Sequence, residues 1–157
     1  MSKKEEVVEK LAEARAPLWA FLQALDEAQW ETAVQTEDAQ WTISDIVRHL
    51  VNAESGMTGL IIQFQQGNDP VPPDFDRERY NKRIVEKTKA LTPPQLLEAL
   101  ASNRAKLLEV IDTLTDDDWQ KNGRHASLNI YTIEEVCQII AGHEELHLLD
   151  MKKALLI

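Results

Sequence analysis

The chain repeats itself. Trp41-Thr42-Ile43-Ser44-Asp45-Ile46 recurs 90 residues later (132 minus 42) as Tyr131-Thr132-Ile133-Glu134-Glu135-Val136, and the run Leu25 to Trp30 recurs as Leu114 to Trp119. Each copy reads as a helix end, an acidic turn closed by tryptophan, and a second helix opened by a capping box, Thr42 with Asp45 or Thr132 with Glu135. Two such helical hairpins predict packing about an approximate twofold axis that brings the second and fourth long helices into one core. In this alignment His49 corresponds to Ile139 and Ala53 to His143, so the histidines of the two helices lie about a turn apart.

Between the repeated segments the apolar spacing is helical. Val8, Leu11, Ala14, Leu18, Leu22 and Leu25 draw one stripe, interrupted by Pro17, which predicts a kink. Ile46, Leu50, Ala53, Met57, Leu60 and Phe64 draw a second, ending near Gly67. The stretch Gly67-Asn-Asp-Pro-Val-Pro-Pro-Asp is turn chemistry and opens a long crossover, followed by a short helix from about Arg77 to Lys89. Thr92, Pro93 and Gln95 cap a third long helix running to Leu114, and Thr132 opens a fourth carrying Val136, Ile140, His143 and His147 on one stripe. No run alternates with period two for long enough to suggest a sheet. The expectation is all-α: one four-helix bundle domain over residues 1–157, with a long crossover between long helices two and three.

A chain of 157 residues can bury a sizeable core without disulfides. Its net charge of -10 repels phosphate backbones and anionic lipid, so neither nucleic acid nor a membrane surface is an expected partner. The single cysteine, Cys137, reads as a small buried hydrophobe and fits a reducing compartment. No stretch reaches the roughly 20 apolar residues of a membrane span and no secretory leader is evident, which points to the cytoplasm.

His143-Glu144-Glu145-Leu146-His147 places two imidazoles four residues apart on one helix face, close enough to share an ion. His49 lies on the buried arc of its own helix, so three of the four histidines face one interior. Burying three unpaired imidazoles would cost several kcal/mol, whereas a metal satisfies one ring nitrogen of each. We therefore expect His49, His143 and His147 to hold one divalent ion, zinc or nickel, with a coordination position left open. The same residues match His-Glu-x-x-His, the zinc-protease helix. That assignment is discounted, because such enzymes take a third ligand downstream and no His or Glu follows His147. Glu144 remains a candidate catalytic base, against a reading as a solvated or capping carboxylate.

These residues resemble the DinB-like (damage-inducible) superfamily of four-helix bundles. The resemblance rests on Trp41-Thr42-Ile43-Ser44-Asp45-Ile46-Val47-Arg48-His49-Leu50, on Asp74-Phe75-Asp76-Arg77-Glu78-Arg79-Tyr80-Asn81 after the crossover, and on His143-x-x-x-His147. It implies a metal-binding bundle, often a homodimer, with His49, His143 and His147 as ligands. Relatives of this kind include thiol S-transferases that use bacillithiol or mycothiol, a thiol-dependent maleylpyruvate isomerase, and metal-dependent hydrolases.

Arg104 stands in the third helix's apolar stripe, as an anchor for an anionic substrate or as a snorkelling arginine paired with an acid. Asn81 and Tyr80 are candidates to line the pocket mouth, or to pack and cap. Trp30, Trp41 and Trp119 are expected to plug the bundle ends, and His125 to be exposed in its loop. Three functions follow. The first is a metal-dependent transferase joining a low-molecular-weight thiol to a small electrophile. The second is a hydrolase activating water, and the third a non-catalytic metal- or ligand-binding protein.

Overall fold

The computed structural model describes residues 1–35 and 40–157. Four long helices form the four-helix bundle: α1 (Lys3–Gln23), α3 (Ile43–Gln65), α5 (Pro93–Thr113) and α6 (Ile133–Ala154). The short helices are α2 (Glu27–Trp30) and, within the crossover, α4 (Arg77–Lys87). Helices α3 and α6 pack against each other, α1 packs mainly on α6, and α5 mainly on α3. This is the pairing of second and fourth long helices that the repeat predicts. Helix α1 runs through Pro17, which is exposed, so the carbonyl that loses its helical partner there can reach water.

The expectation of a chain without strands is corrected. Two antiparallel hairpins stand immediately before α3 and α6: β1 (Ala33–Gln35) with β2 (Gln40–Thr42), and β3 (Asn122–Arg124) with β4 (Ile130–Thr132). Val34 pairs with Trp41 and Gly123 with Tyr131. Three residues are too few to display alternation, so these strands leave no period in the sequence. In each copy the ladder runs straight into the helix. Ile43 N–H donates to the Thr32 carbonyl at 3.0 Å and Ile133 N–H to that of Lys121 at 2.9 Å. Thr42 and Thr132 then close reciprocal capping boxes with Asp45 and Glu135. Strand and cap together fix where each helix starts, and hence the azimuth of every residue along it.

The crossover is tied down at both ends. Helix α3 closes at Gly67, whose φ of +84° suits glycine, with Gly67 N–H donating to the Phe64 carbonyl and Asn68 N–H to that of Gln63. Asp69 accepts from Arg124 N–H at 2.8 Å, anchoring the start of the crossover to the second hairpin. At the other end, buried Arg48 donates to the carbonyls of Thr88, Lys89 and Leu91.

Two apolar clusters fill the bundle. One contains Leu11, Ile61, Leu107, Ile111, Ile133, Val136 and Ile140. The other contains Leu18, Leu22, Ile43, Ile46, Leu50, Leu100 and Met151. These residues exchange under the repeat: Leu18 matches Leu107, Leu11 matches Leu100, and Ile43 matches Ile133. The clusters are the two ends of a nearly symmetric bundle. Buried Trp30 belongs to one and Trp119 to the other, as end plugs should.

Candidate metal centre

The capped start of α3 sets His49 two turns into that helix, and the capped start of α6 sets His143 and His147 on its inward side. The three imidazoles meet. His143 Nε2 lies 2.9 Å from His49 Nε2 and 3.0 Å from His147 Nε2. The rings stand edge to face, with centroids 4.6 to 5.3 Å apart.

Hydrogen bonding among the rings serves such a trio poorly. A neutral imidazole has one N–H. If His143 Nε2 donates, it serves one neighbour only; if it accepts, two N–H groups compete for one lone pair. Three lone pairs converging on a cation remove the conflict. With metal–nitrogen bonds of about 2.0–2.1 Å, tetrahedral ligands sit roughly 3.3 Å apart; the two separations from His143 come near that, and all three ligand atoms lie within 4.8 Å of one another. The donor set fits a borderline divalent ion.

Burial also puts the rings in the ligating protonation state. It pushes His49 down to about 4, with the His147 and Arg77 charges adding to the effect. His143 is driven well below its ordinary value, first by burial and then by the neighbouring histidines. His147 is lowered by burial against the opposing pull of Asp150. Asp150 Oδ2 approaches His147 Nδ1 at 3.3 Å, near enough for a charge contact though outside hydrogen-bond alignment. A carboxylate that hydrogen-bonds the outer ring nitrogen would orient a ligating imidazole, and Asp150 stands within reach of that role.

The surroundings differ from expectation at several points. Trp41, at the end of β2, is half-buried against the His49 ring, 5.2 Å between centroids, and so walls the site. His125 is not exposed. It is half-buried, its Nδ1 accepts from Ser127 N–H at 3.0 Å, and its ring meets Tyr131 edge to face. Arg77, at the start of α4, bears electrostatically on His49, His125 and His143. Sequence reasoning missed Arg77 as a neighbour of the site; the only signal was its place in the segment Asp74 to Asn81. Asn81 and Tyr80 are half-buried on α4, with Tyr80 packed on Phe75 at 5.4 Å. Cys137 is buried, and desolvation pushes its thiol up to about 12, so it is an inert hydrophobe.

Arg104 and Glu144 lie inside the bundle, in one charged layer between the two apolar clusters. Arg104 is 8% exposed and Glu144 3% exposed, so neither a snorkelling arginine nor a solvated carboxylate describes them. Arg104 donates to Glu54 at 2.7 Å, to Glu144, and to the Leu11 carbonyl at 3.0 Å. Arg15 donates to Glu144 at 2.7 Å, to Glu54 at 3.0 Å, and to the Leu100 carbonyl at 3.0 Å. Both charges of each sign are matched, and all four long helices contribute one member. Arg104 therefore spends its guanidinium on the core, and Glu144 its carboxylate on two arginines.

Comparison with known proteins agrees with this architecture. Residues 4–151 match the DinB superfamily. No curated protein sequence matches the chain. Among solved structures, the mycothiol-dependent maleylpyruvate isomerase superposes with a TM-score of 0.76 at 17% identity, over 96% of this chain and 63% of its own. The chain thus spans under two thirds of that enzyme's length. YfiT from Bacillus subtilis, described as a probable metal-dependent hydrolase with an unusual four-helix bundle topology, gives 0.75 at 19% identity, over 99% of this chain and 90% of its own. The colibactin self-resistance protein ClbS, solved in complex with dsDNA, gives 0.73 at 16% identity, over 96% of this chain and 94% of its own. At such identities the likeness is one of fold. No helix among the described residues is long and apolar enough to cross a membrane.

Proposed function

The chain belongs to the DinB superfamily, and from that premise we propose that it is a metal-dependent thiol S-transferase acting on a small electrophile. His49, His143 and His147 hold one zinc or nickel ion. The observation that carries the reading is the meeting of three neutral Nε2 atoms on one point, with their burial keeping protons off. When bound, such an ion supplies Lewis acidity that lowers the pKa of a thiol reaching it.

The residues of the chain do the rest. Trp41 walls one side of the site and keeps the His49 ring in place. The Asp150 carboxylate, 3.3 Å from His147 Nδ1, supplies a negative charge on the outer side of that ring. The Arg77 guanidinium adds positive potential that favours an anionic sulfur over a neutral one. The new sulfur–carbon bond forms as the leaving group departs, and the thiol proton passes to solvent.

Transfer is favoured over hydrolysis by the position of Glu144. A general base for water must be free to accept a proton near the ligands. Glu144 is instead clasped by Arg15 and Arg104. The structural neighbour described as a mycothiol-dependent isomerase is consistent with a low-molecular-weight thiol as cosubstrate.

Elemental analysis of wild type beside His49→Ala and His147→Ala, with calorimetric titration of bacillithiol and mycothiol, tests the reading. The expected result is about one metal per chain in wild type, lost in both variants, and thiol binding to the metal-loaded form alone. Metal that is absent and cannot be restored overturns it. Thiol-independent hydrolysis abolished by His143→Ala would replace transfer with hydrolysis at the same site.

A further inference from the structure

The charged layer is itself repeated. Glu144 stands 90 residues after Glu54, and Arg104 stands 89 after Arg15, the offsets of the sequence repeat. The hydrogen bonds repeat as well. Arg15 reaches the carbonyl of Leu100, four residues before Arg104, and Arg104 reaches that of Leu11, four residues before Arg15. The layer therefore sits on the pseudo-twofold axis, with one apolar cluster on each side.

We infer that Arg15, Glu54, Arg104 and Glu144 are positioning residues, which fix the axial register of α3 against α6 so that His49 meets His143 and His147. This rests on the metal reading of the histidines. Three arguments lead to it. Two ion pairs of which Glu54, Arg104 and Glu144 are buried and Arg15 half-buried are a poor route to stability, since apolar side chains of similar volume commonly do as well or better. Leucine and isoleucine clusters tolerate small sliding and repacking, whereas a layer of directed hydrogen bonds admits one register. Finally, the ligands come from two helices, so the site is sensitive to sliding. A slip of one residue moves a ligand about 1.5 Å along the axis, far beyond the roughly 0.2 Å a metal site allows. Glu144 is chain neighbour to His143, and Glu54 lies five residues after His49 on the same helix. The register is thus set beside the ligands on both helices.

The test is a cobalt(II) titration of metal-free protein, following the visible d–d absorption that reports ligand geometry. Three proteins are compared: wild type, an apolar-layer variant (Arg15→Met, Glu54→Leu, Arg104→Met and Glu144→Leu together), and Leu107→Ala in the cluster remote from the histidines. The apolar-layer variant is expected to keep its helical circular dichroism and thermal midpoint. It should bind cobalt roughly 10–100-fold more weakly, with an altered absorption band. Leu107→Ala is expected to melt earlier yet hold cobalt within about 2-fold of wild type. If the fourfold variant does not fold, Glu54→Gln and Glu144→Gln each take its place, with the same direction expected. A folded layer variant with wild-type affinity and spectrum overturns the inference while leaving the metal site standing. Wild type that binds no cobalt overturns the metal reading, and the inference with it.

Discussion

At one end of the bundle Leu18, Leu22, Ile43, Ile46 and Leu50 pack beneath three histidines; at the other their repeat mates Leu107, Ile111, Ile133, Val136 and Ile140 pack with Ile139, Ala53 and Met57. Those last three are the mates of His49, His143 and His147. Scaffold residues thus occur twice and the histidines once. The difference separates roles that proximity alone would confuse. Glu144 adjoins two candidate ligands and invites a catalytic reading, but its repeat mate Glu54 is held by the same two arginines in the same layer. A residue present in both copies of the repeat belongs to the fold.

The largest effect should come from breaking that equivalence. Glu54→Ala and Glu144→Ala each leave buried Arg104 and half-buried Arg15 sharing one carboxylate, and each should destabilise the protein by about 3–5 kcal/mol. Urea denaturation of the metal-free variants measures this, and the two losses should agree to within about 1 kcal/mol. A Glu144→Ala protein as stable as wild type, beside a crippled Glu54→Ala, would deny the pairing and return Glu144 to chemistry.

Acid sharpens the comparison, because His49, His143 and His147 can take up protons and their repeat mates Ile139, Ala53 and Met57 cannot. Above about pH 6.5 the histidines are neutral folded and unfolded, and they add no pH dependence. As pH falls below that value the unfolded chain binds protons that His49, held down to about 4, refuses, and His143 and His147 refuse in the same direction. The metal-free protein should therefore lose on the order of a few kcal/mol between about pH 6.5 and 4. A variant given the far end's residues, His49→Ile, His143→Ala and His147→Met, should show a flatter profile over that window. Equal slopes would mean that the histidines are not the groups resisting protonation.

The four long helices and the axis relating them were legible because apolar spacing and capping boxes are local signals, repeated along many residues. The candidate ligands could be read for a similar reason: His143 and His147 share a face by spacing alone, and His49 was placed by its helix's stripe. The hairpins were not legible, since three residues carry no period. Nor was the partnership of Arg104, which depends on Glu54 and Arg15 from other helices; only its unexpected place in an apolar stripe gave a hint. Applying the repeat to Arg15 and Glu54 would have predicted the whole layer. His125 was misplaced because a loop residue's burial depends on what packs over it, and nothing local encodes that.

The smallest expected effect concerns how the two hairpins meet the helices. In the first, Val34 is buried in an apolar cluster against which Ala154 of α6 also packs. In the second, the corresponding residue is Gly123, and the mate of Ala154 is Phe64. A Cβ at Gly123 would stand 2.3 Å from the Phe64 ring, which is itself fully buried and has nowhere to swing. Large and small side chains have thus exchanged places between the two ends, with a similar space to fill. Gly123→Val should destabilise by about 1–3 kcal/mol through overpacking. Phe64→Ala alone should lose about 3–5 kcal/mol to a cavity. The double variant recreates the pair found at the other end, so its loss should fall below the sum of the single losses by at least about 1 kcal/mol in a double-mutant cycle. Strict additivity would mean that the two junctions fill their space by unrelated means, and that the symmetry stops at the helices.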